Sequence, residues 1–343
     1  MQVEKSGTVD ANRWRQFADQ VLEGAPLDRQ QLLQALRCPA AEVPLLLAEA
    51  YRVRHAYFGR GVLLHLLVNA KSGLCPEDCN YCSQSSVSEA PIAKYRWLDK
   101  DALVEGARKA HAEGAKTYCI VASGRGPSDA EIDHLDLTVR AIKAELPLSV
   151  CCSLGLVAPE QARRLKAAGV DKLNHNLNTS ERYYAEICET HTYGDRIQTL
   201  KAAREAGLAI CSGGIAGMGE TDEDLADMAL YLREIGAESV PMNFLHNIEG
   251  TPLARREELN PMKCLAILAA FRLALPDREL RIAGGRELHL RSLQSMGLLA
   301  ANSIFLGDYL TTSGQAMEED KAMIADMGFS VVQPEFKQQA ADG

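Results

Sequence analysis

No part of this sequence is apolar for long enough to cross a bilayer: the run 61–68 falls far short of the roughly 20 residues that a spanning helix needs. The opening residues, MQVEKSGTVDANRWRQFADQ, contain nothing like the apolar core of a signal peptide. Basic residues are not in excess either. Lys and Arg number 37 against 46 Asp and Glu, for a formal net charge of -9 and a pI near 5.5. A surface for nucleic acid or anionic lipid calls for the opposite balance. These absences predict a cytoplasmic protein whose partners are small molecules and proteins, with no nucleic acid and no membrane. With 47% hydrophobic and 24% charged residues, the 343-residue chain has enough material for one large domain or two modest ones.

What the sequence does have is cysteine, ten in all. In a reducing compartment these do not form a disulfide framework, so clustered cysteines read as metal ligands or catalytic groups.

Apolar periodicity predicts helices over 12–22, 28–36 and 44–57, which form an N-terminal helical extension covering 1–60. β-rich runs then begin near Val62, Thr117, Leu148, Leu173, Ala209, Val240, Leu280 and Ser303. Helical segments lie between them. LVEGARKAHAEG, PEQARRLKAAG, RIQTLKAAREAG and DLADMALYLREIG each end in a glycine suited to a helix C-cap. The pattern predicts an α/β fold, a (β/α)8 TIM-type barrel over 61–312, with chemistry at the C-terminal ends of the strands. An open doubly wound sheet is the alternative. Residues 313–343 read as a tail with a short helix.

Directly after the first strand and a Lys-Ser-Gly turn comes Cys75-Pro-Glu-Asp-Cys79-Asn-Tyr-Cys82. The barrel reading puts this loop on the catalytic rim. Three soft thiolates so closely spaced can wrap one compact metal site, and a cubane held by three of them keeps an open iron. A structural zinc site with a fourth ligand elsewhere is the competing reading. The C-x3-C-x2-C spacing, with the aromatic Tyr81 before the last cysteine, resembles the signature of the radical S-adenosylmethionine superfamily. That resemblance implies a 4Fe-4S cluster whose open iron chelates S-adenosylmethionine and whose electron generates a deoxyadenosyl radical.

Alternation along the strands defines a second group. Cys119 shares a face with Thr117 and Val121, Cys211 with Ala209 and Gly213, and Arg281 with Ala283; the larger apolar neighbours suit the helix layer. On the third strand Cys152 lies with Leu148, Val150 and Leu154, whereas Cys151 lies with Ser149 and Ser153. Parity therefore turns Cys119, Cys151, Cys211 and Arg281 inward. A buried guanidinium needs a partner, and thiolates around iron would supply one. Cys38, Cys188 and Cys264, in helical segments without companion ligands, read as packing residues.

The segments YCIVASGRGPS, LNHNLNTS, CSGGIAGMGET, SVPMNFL, GTPL, RIAGGRE and ANSIFLGDYLTT resemble biotin synthases, from about Gly61 to Thr312. From about residue 230 onward the chain resembles the biotin and thiamin synthesis associated region. The resemblance implies that Cys119, Cys151, Cys211 and Arg281 hold an auxiliary 2Fe-2S cluster, the sulfur donor. It implies that Asn176 and Asn243 contact dethiobiotin, and that Tyr81, Asn178, Arg196, Gly217 and Gly219 lie at S-adenosylmethionine. By parity Asn174, Asn176 and Asn178 form a polar lining opposed by Leu173 and Leu177, with His175 a hydrogen-bonded packing residue on the outward face. Asn178 replaces an aspartate found in some members. No acid or base is assigned, because the radical abstracts hydrogen from the dethiobiotin methyl carbon and sulfur then adds to it. A homodimer and an electron donor such as flavodoxin or ferredoxin are also implied. A lipoyl synthase would carry a second N-terminal cysteine cluster, and an electron carrier would have no use for inward asparagines.

Overall fold

Strand β1 (Gly61–Lys71) begins an alternation of strand and helix that continues through β2 (Thr117–Ala122), β3 (Ser149–Ser153), β4 (Lys172–Asn174), β5 (Ala209–Cys211), β6 (Gly214–Ala216), β7 (Ser239–Phe244), β8 (Glu279–Ile282) and β9 (Ser303–Phe305). The computed structural model describes residues 11–256 and 259–332; residues 1–10 of the expected extension and 333–343 of the expected tail lie outside the described residues. Every pairing in this series is parallel, and β9 returns to β1 through Leu63 and Ser303. That last pairing closes an eight-stranded barrel and rules out the open sheet.

One of the eight expected strands is split. β5 meets β7 only at Cys211 and Ser239, and β6 takes over from Gly214 onward. The cause is a close backbone crossing at Gly213, where a Cβ would stand 1.9 Å from the Pro241 carbonyl oxygen. Only glycine fits there.

The helices of the outer ring start where side chains cap them. Asp99, Ser128, Thr192, Thr221 and Asn260 each accept a backbone N–H at the start of α4 (Lys100–Ala112), α5 (Asp129–Glu145), α7 (Tyr193–Glu205), α8 (Asp222–Glu234) and α9 (Pro261–Ala274), with α6 (Pro159–Ala168) entered through a proline. Gly114, Gly169, Gly207 and Gly236 follow α4, α6, α7 and α8 with positive φ, as their sequence positions predict. Between strands and helices lies the main core, which includes Tyr118, Ile120, Val150, Cys152, Leu173, Ile210, Val240, Leu280 and Ile304.

Helix α9 is buried on all sides from Cys264 to Ala274. A helix apolar all round needs a second cover. The extension supplies it: α1 (Ala11–Leu22), α2 (Arg29–Leu36) and α3 (Val43–Phe58) all contact α9. At the other end the tail holds the helix Met317–Asp326 and a further strand, β10 (Ser330–Val331), which pairs with β1 at Gly61 and Val62. A two-residue strand is too short to show alternation, so the sequence reading missed it. No described helix is long and apolar enough to cross a membrane.

Candidate functional site

Strand register assembles the inner group. Cys119 is opposite Cys151, Cys151 opposite Lys172, Cys211 opposite Asn174 and Ser239, and Arg281 opposite Ser303. Cys119, Cys151 and Cys211 make a small buried cluster of their own, with Leu67 and Phe305 as the partly buried apolar side chains packed against it, separate from the main core that contains Cys152. The Cys151 thiol beside it, helped by Arg281 and Lys172, holds Cys211 down to about 6. Cys151, followed by His65 and Arg281, likewise pulls Cys119 well below the usual thiol range. Cys151, between them, is in turn pushed well above the usual range by Cys119 and Cys211, so two of the three soft donors are held toward the thiolate form, as suits an iron-sulfur cluster.

The guanidinium has a partner that the sequence reading missed. Arg281 Nη2 donates to the Glu279 carboxylate and, at 2.7 Å, to Ser239 Oγ, while Nε donates to Ser303 Oγ at 3.0 Å. Nη1 is left facing Cys211 Sγ at 3.9 Å. Glu279 is thus the principal anion for Arg281, with the expected Cys211 and Cys119 thiolates as further partners. It also accepts from Lys172 Nζ at 3.1 Å and lies 2.9 Å from His65 Nε2, off the axis of a hydrogen bond. The overlooked signal was parity, because Glu279 precedes Arg281 by two positions on the same strand face.

Burial works to raise the Glu279 pKa, but Arg281, His65 and Lys172 overcome it and hold the carboxyl well below its usual range. With the folded-state value depressed, its stabilisation is present above the ordinary carboxylate range and is lost as pH falls through the folded value. Glu279→Gln leaves the buried Arg281 and the partly buried Lys172 underpaired, and we expect a stability loss of about 3–5 kcal/mol. Urea unfolding of wild type and variant checks this; equal midpoints would mean that the carboxylate is dispensable.

Cys75, Cys79 and Cys82 line the same cavity of about 390 Å³ as the inner cysteines. Asn174, Asn176, Asn178, Arg196 and Asn243 line it too, as do Tyr81 and Arg281. Asn178, at φ +70°, donates to Tyr81 Oη at 2.6 Å. Asn176 Oδ1 accepts from Asn174 Nδ2 at 3.2 Å and from the Gly213 amide at 3.1 Å. The Thr192 cap starts α7 so that Arg196 is buried one turn in, where it donates to the Asn176 carbonyl at 2.9 Å, to Tyr184 Oη and to His191 Nε2 at 3.0 Å. Asn243 bridges backbone on both sides, from Gly214 O at 3.1 Å to the Gly284 amide at 3.0 Å.

Two expectations, for His175 and Cys188, need correction, and Gly217 and Gly219 sit apart from the rest of the site. Gly217 and Gly219 are not among the residues that line the cavity. Their turn folds back on Glu220, whose carboxylate accepts from the Gly217 amide at 2.7 Å and the Met218 amide at 2.8 Å, and Leu259 covers Gly217. His175 is buried, but its Nε2 has no hydrogen-bond partner among the described residues, and burial pushes its pKa well below the usual value. Cys188 is neither helical nor isolated. It follows the short 3-10 turn Tyr184–Glu186 and places its sulfur 3.7 Å from Cys79 Sγ, 3.1 Å from Asp78 Oδ1 and 3.1 Å from His191 Nδ1. No periodic signal marks that meeting across 109 residues.

A closed parallel barrel with a three-cysteine loop at the end of its first strand defines a radical S-adenosylmethionine enzyme, and residues 71–232 match the family model of the radical SAM superfamily. Residues 241–330 match the biotin and thiamin synthesis associated domain. Curated relatives named biotin synthase are 55% identical in Rhodopirellula baltica, over 92% of this chain and 88% of the relative, and 52% identical in Bacillus subtilis, over 93% and 96%. The chain belongs to the biotin synthase family. Such enzymes use S-adenosylmethionine with a 4Fe-4S cluster and carry an additional 2Fe-2S cluster. Solved structures of the same fold include methylornithine synthase, with a TM-score of 0.82 at 20% identity over 93% of this chain and 98% of that one. The FeFe-hydrogenase maturase of Carboxydothermus hydrogenoformans gives 0.79 at 19% identity over 94% and 80%.

Proposed function

We propose that this chain converts dethiobiotin to biotin at the cavity inside its barrel, with Cys75, Cys79 and Cys82 holding the 4Fe-4S cluster and Cys119, Cys151, Cys211 and Arg281 holding the 2Fe-2S cluster, the sulfur donor. One observation carries the assignment: two separate cysteine triads, one on a rim loop and one on strand faces, open on a single cavity. The bound groups supply a carbon-centred radical and a sulfur atom. The protein's part is to bind, orient and exclude water. Arg196, buried and tied to Asn176 and His191, offers a fixed positive charge for the carboxylate of S-adenosylmethionine. Tyr81 and Asn178 brace the neighbouring wall, and Asn176 and Asn243 present amides to the polar end of dethiobiotin. Gly217 and Gly219 would act on S-adenosylmethionine through the position of their turn, since they do not line the cavity.

The same reading takes 1–60 as a helical cover, 61–312 as the catalytic barrel and 313–343 as a tail. It includes a flavodoxin- or ferredoxin-like reductant, a homodimer and a cytoplasmic location, supported by the acidic charge balance and the family resemblance. The test is anaerobic reconstitution with iron and sulfide, then incubation with dethiobiotin, S-adenosylmethionine and a reductant. Biotin is the expected product. Deoxyadenosine without biotin would overturn the substrate assignment.

Asn243→Ala is expected to weaken dethiobiotin binding about tenfold, the equivalent of one lost buried hydrogen bond, while both clusters still assemble. Because Asn243 also ties Gly214 to Gly284, a lower melting temperature accompanies the change. Equilibrium binding of dethiobiotin decides, and unchanged affinity would leave Asn243 as a backbone brace alone.

A further inference from the structure

Cys188 has no part in the reaction described above, yet it is placed against one of the residues that does. Two loops meet beside it and are laced together. Asn80 donates through its amide to the Ile187 carbonyl at 2.9 Å and through Nδ2 to the Glu186 carbonyl at 3.1 Å. Asp78 in return accepts from the Glu189 and Thr190 amides, both at 3.1 Å. This lacing fixes the backbone of Cys79 and Cys188 side by side with their sulfurs 3.7 Å apart. Forming a disulfide there brings the two sulfurs from that separation to about 2 Å.

A three-ligand metal site built from Cys79, Cys188 and His191 fits these positions less well. Arg196 is always a donor, so its contact with His191 Nε2 makes that nitrogen the acceptor and puts the ring proton on Nδ1. Nδ1 then donates to Glu77 Oε2 at 2.6 Å and has no lone pair to offer a cation. What remains is a dithiol.

We propose that Cys79 and Cys188 form a disulfide in the cluster-free protein, making this pair a site of thiol–disulfide exchange with small organic disulfides such as oxidised glutathione. The proposal rests on the reading that Cys79 binds the rim cluster. Cys79 faces the cavity, so it meets the oxidant first. Cys79 gives up its thiol proton as its sulfur attacks one sulfur of oxidised glutathione, forming a mixed disulfide and releasing one glutathione thiolate. Cys188 then attacks Cys79 Sγ, the protein disulfide forms, and the second glutathione leaves. Two thiol protons go to solvent and two electrons reduce the glutathione disulfide. The exchange withdraws a cluster ligand until reductant restores it, and it keeps that ligand from irreversible oxidation to the sulfinic acid.

The experiment treats full-length cluster-free protein with oxidised glutathione under anaerobic conditions, alkylates the remaining thiols and maps peptides without reduction. The expected result is a cross-link between the peptides of Cys79 and Cys188, with eight of the ten cysteines still alkylated. Cys188→Ser should stop at a glutathione adduct on Cys79. A wild-type protein that also stops at that adduct, or that links Cys79 to Cys75 or Cys82 instead, overturns the proposal. Should the variant misfold, the wild-type peptide map alone decides between these outcomes. Cluster-loaded protein serves as the separate control: protection of Cys79 supports both readings, whereas an equal cross-link there sinks the ligand assignment and leaves the dithiol standing.

Discussion

A Cys151→Ser variant is expected to lose the inner cluster's absorption and stop making biotin, while Cys152→Ser, one residue away, keeps both clusters and its activity. Adjacent strand positions face opposite ways. Cys151 pairs in register with Cys119 and Lys172 and belongs to the three-cysteine cluster inside the barrel. Cys152 pairs with Ile120 and Leu173 and is fully enclosed in the layer between strands and helices. A hydroxyl in that layer without a partner costs about 1–3 kcal/mol, a loss of stability and not of metal. Visible spectra, iron content and biotin yield of each reconstituted variant separate the two effects. Reversed outcomes would mean that the sulfur-donor site is built on the other face of β3, and two silent substitutions would remove the inner cluster from the mechanism.

Cys79→Ala is expected to abolish S-adenosylmethionine cleavage, with deoxyadenosine falling below detection. Two remaining rim thiolates do not hold a cubane that needs three protein ligands beside its open iron. Cys188 stands close to the vacated place, but Asp78 and Asn80 lace its loop where it is. It therefore does not take over the ligand position. Deoxyadenosine production at the wild-type rate would refute the assignment of Cys79, and a residual rate that disappears in Cys79→Ala with Cys188→Ala would show that Cys188 substitutes.

How far each part of the site could be read from sequence depended on whether its geometry was local. Cys119, Cys151, Cys211 and Arg281 were separable from their neighbours because a strand turns alternate residues to opposite faces, and a closed barrel turns one face of every strand inward. The barrel itself was legible for the same reason, strand runs alternating with capped, glycine-ended helices. Glu279 is equally readable by parity, but its role depends on how many cations register brings to it. Cys188 carried no readable signal at all. YYAEICET looks helical, but the 3-10 turn ends at Glu186, and the contact with Cys79 is made by two loops distant in sequence. The Gly217–Glu220 turn misled differently: its glycines suit a ligand-hugging loop, yet Glu220 uses the freed amides itself.

The backbone at Asn178 bears on which sequences this barrel tolerates. Its φ of +70° lies in the left-handed region, its amide donates to Gly213 O at 3.1 Å, and its carbonyl accepts from Ile215 at 2.8 Å across the split strand. Glycine, asparagine and aspartate adopt that conformation with little strain, and β-branched residues do not. In a saturation library selected for growth without biotin, position 178 should therefore admit those three residues and reject valine, isoleucine and threonine. Glycine is the informative survivor, because it keeps the turn and discards the amide that holds Tyr81, so its growth rate relative to asparagine measures the side chain apart from the fold.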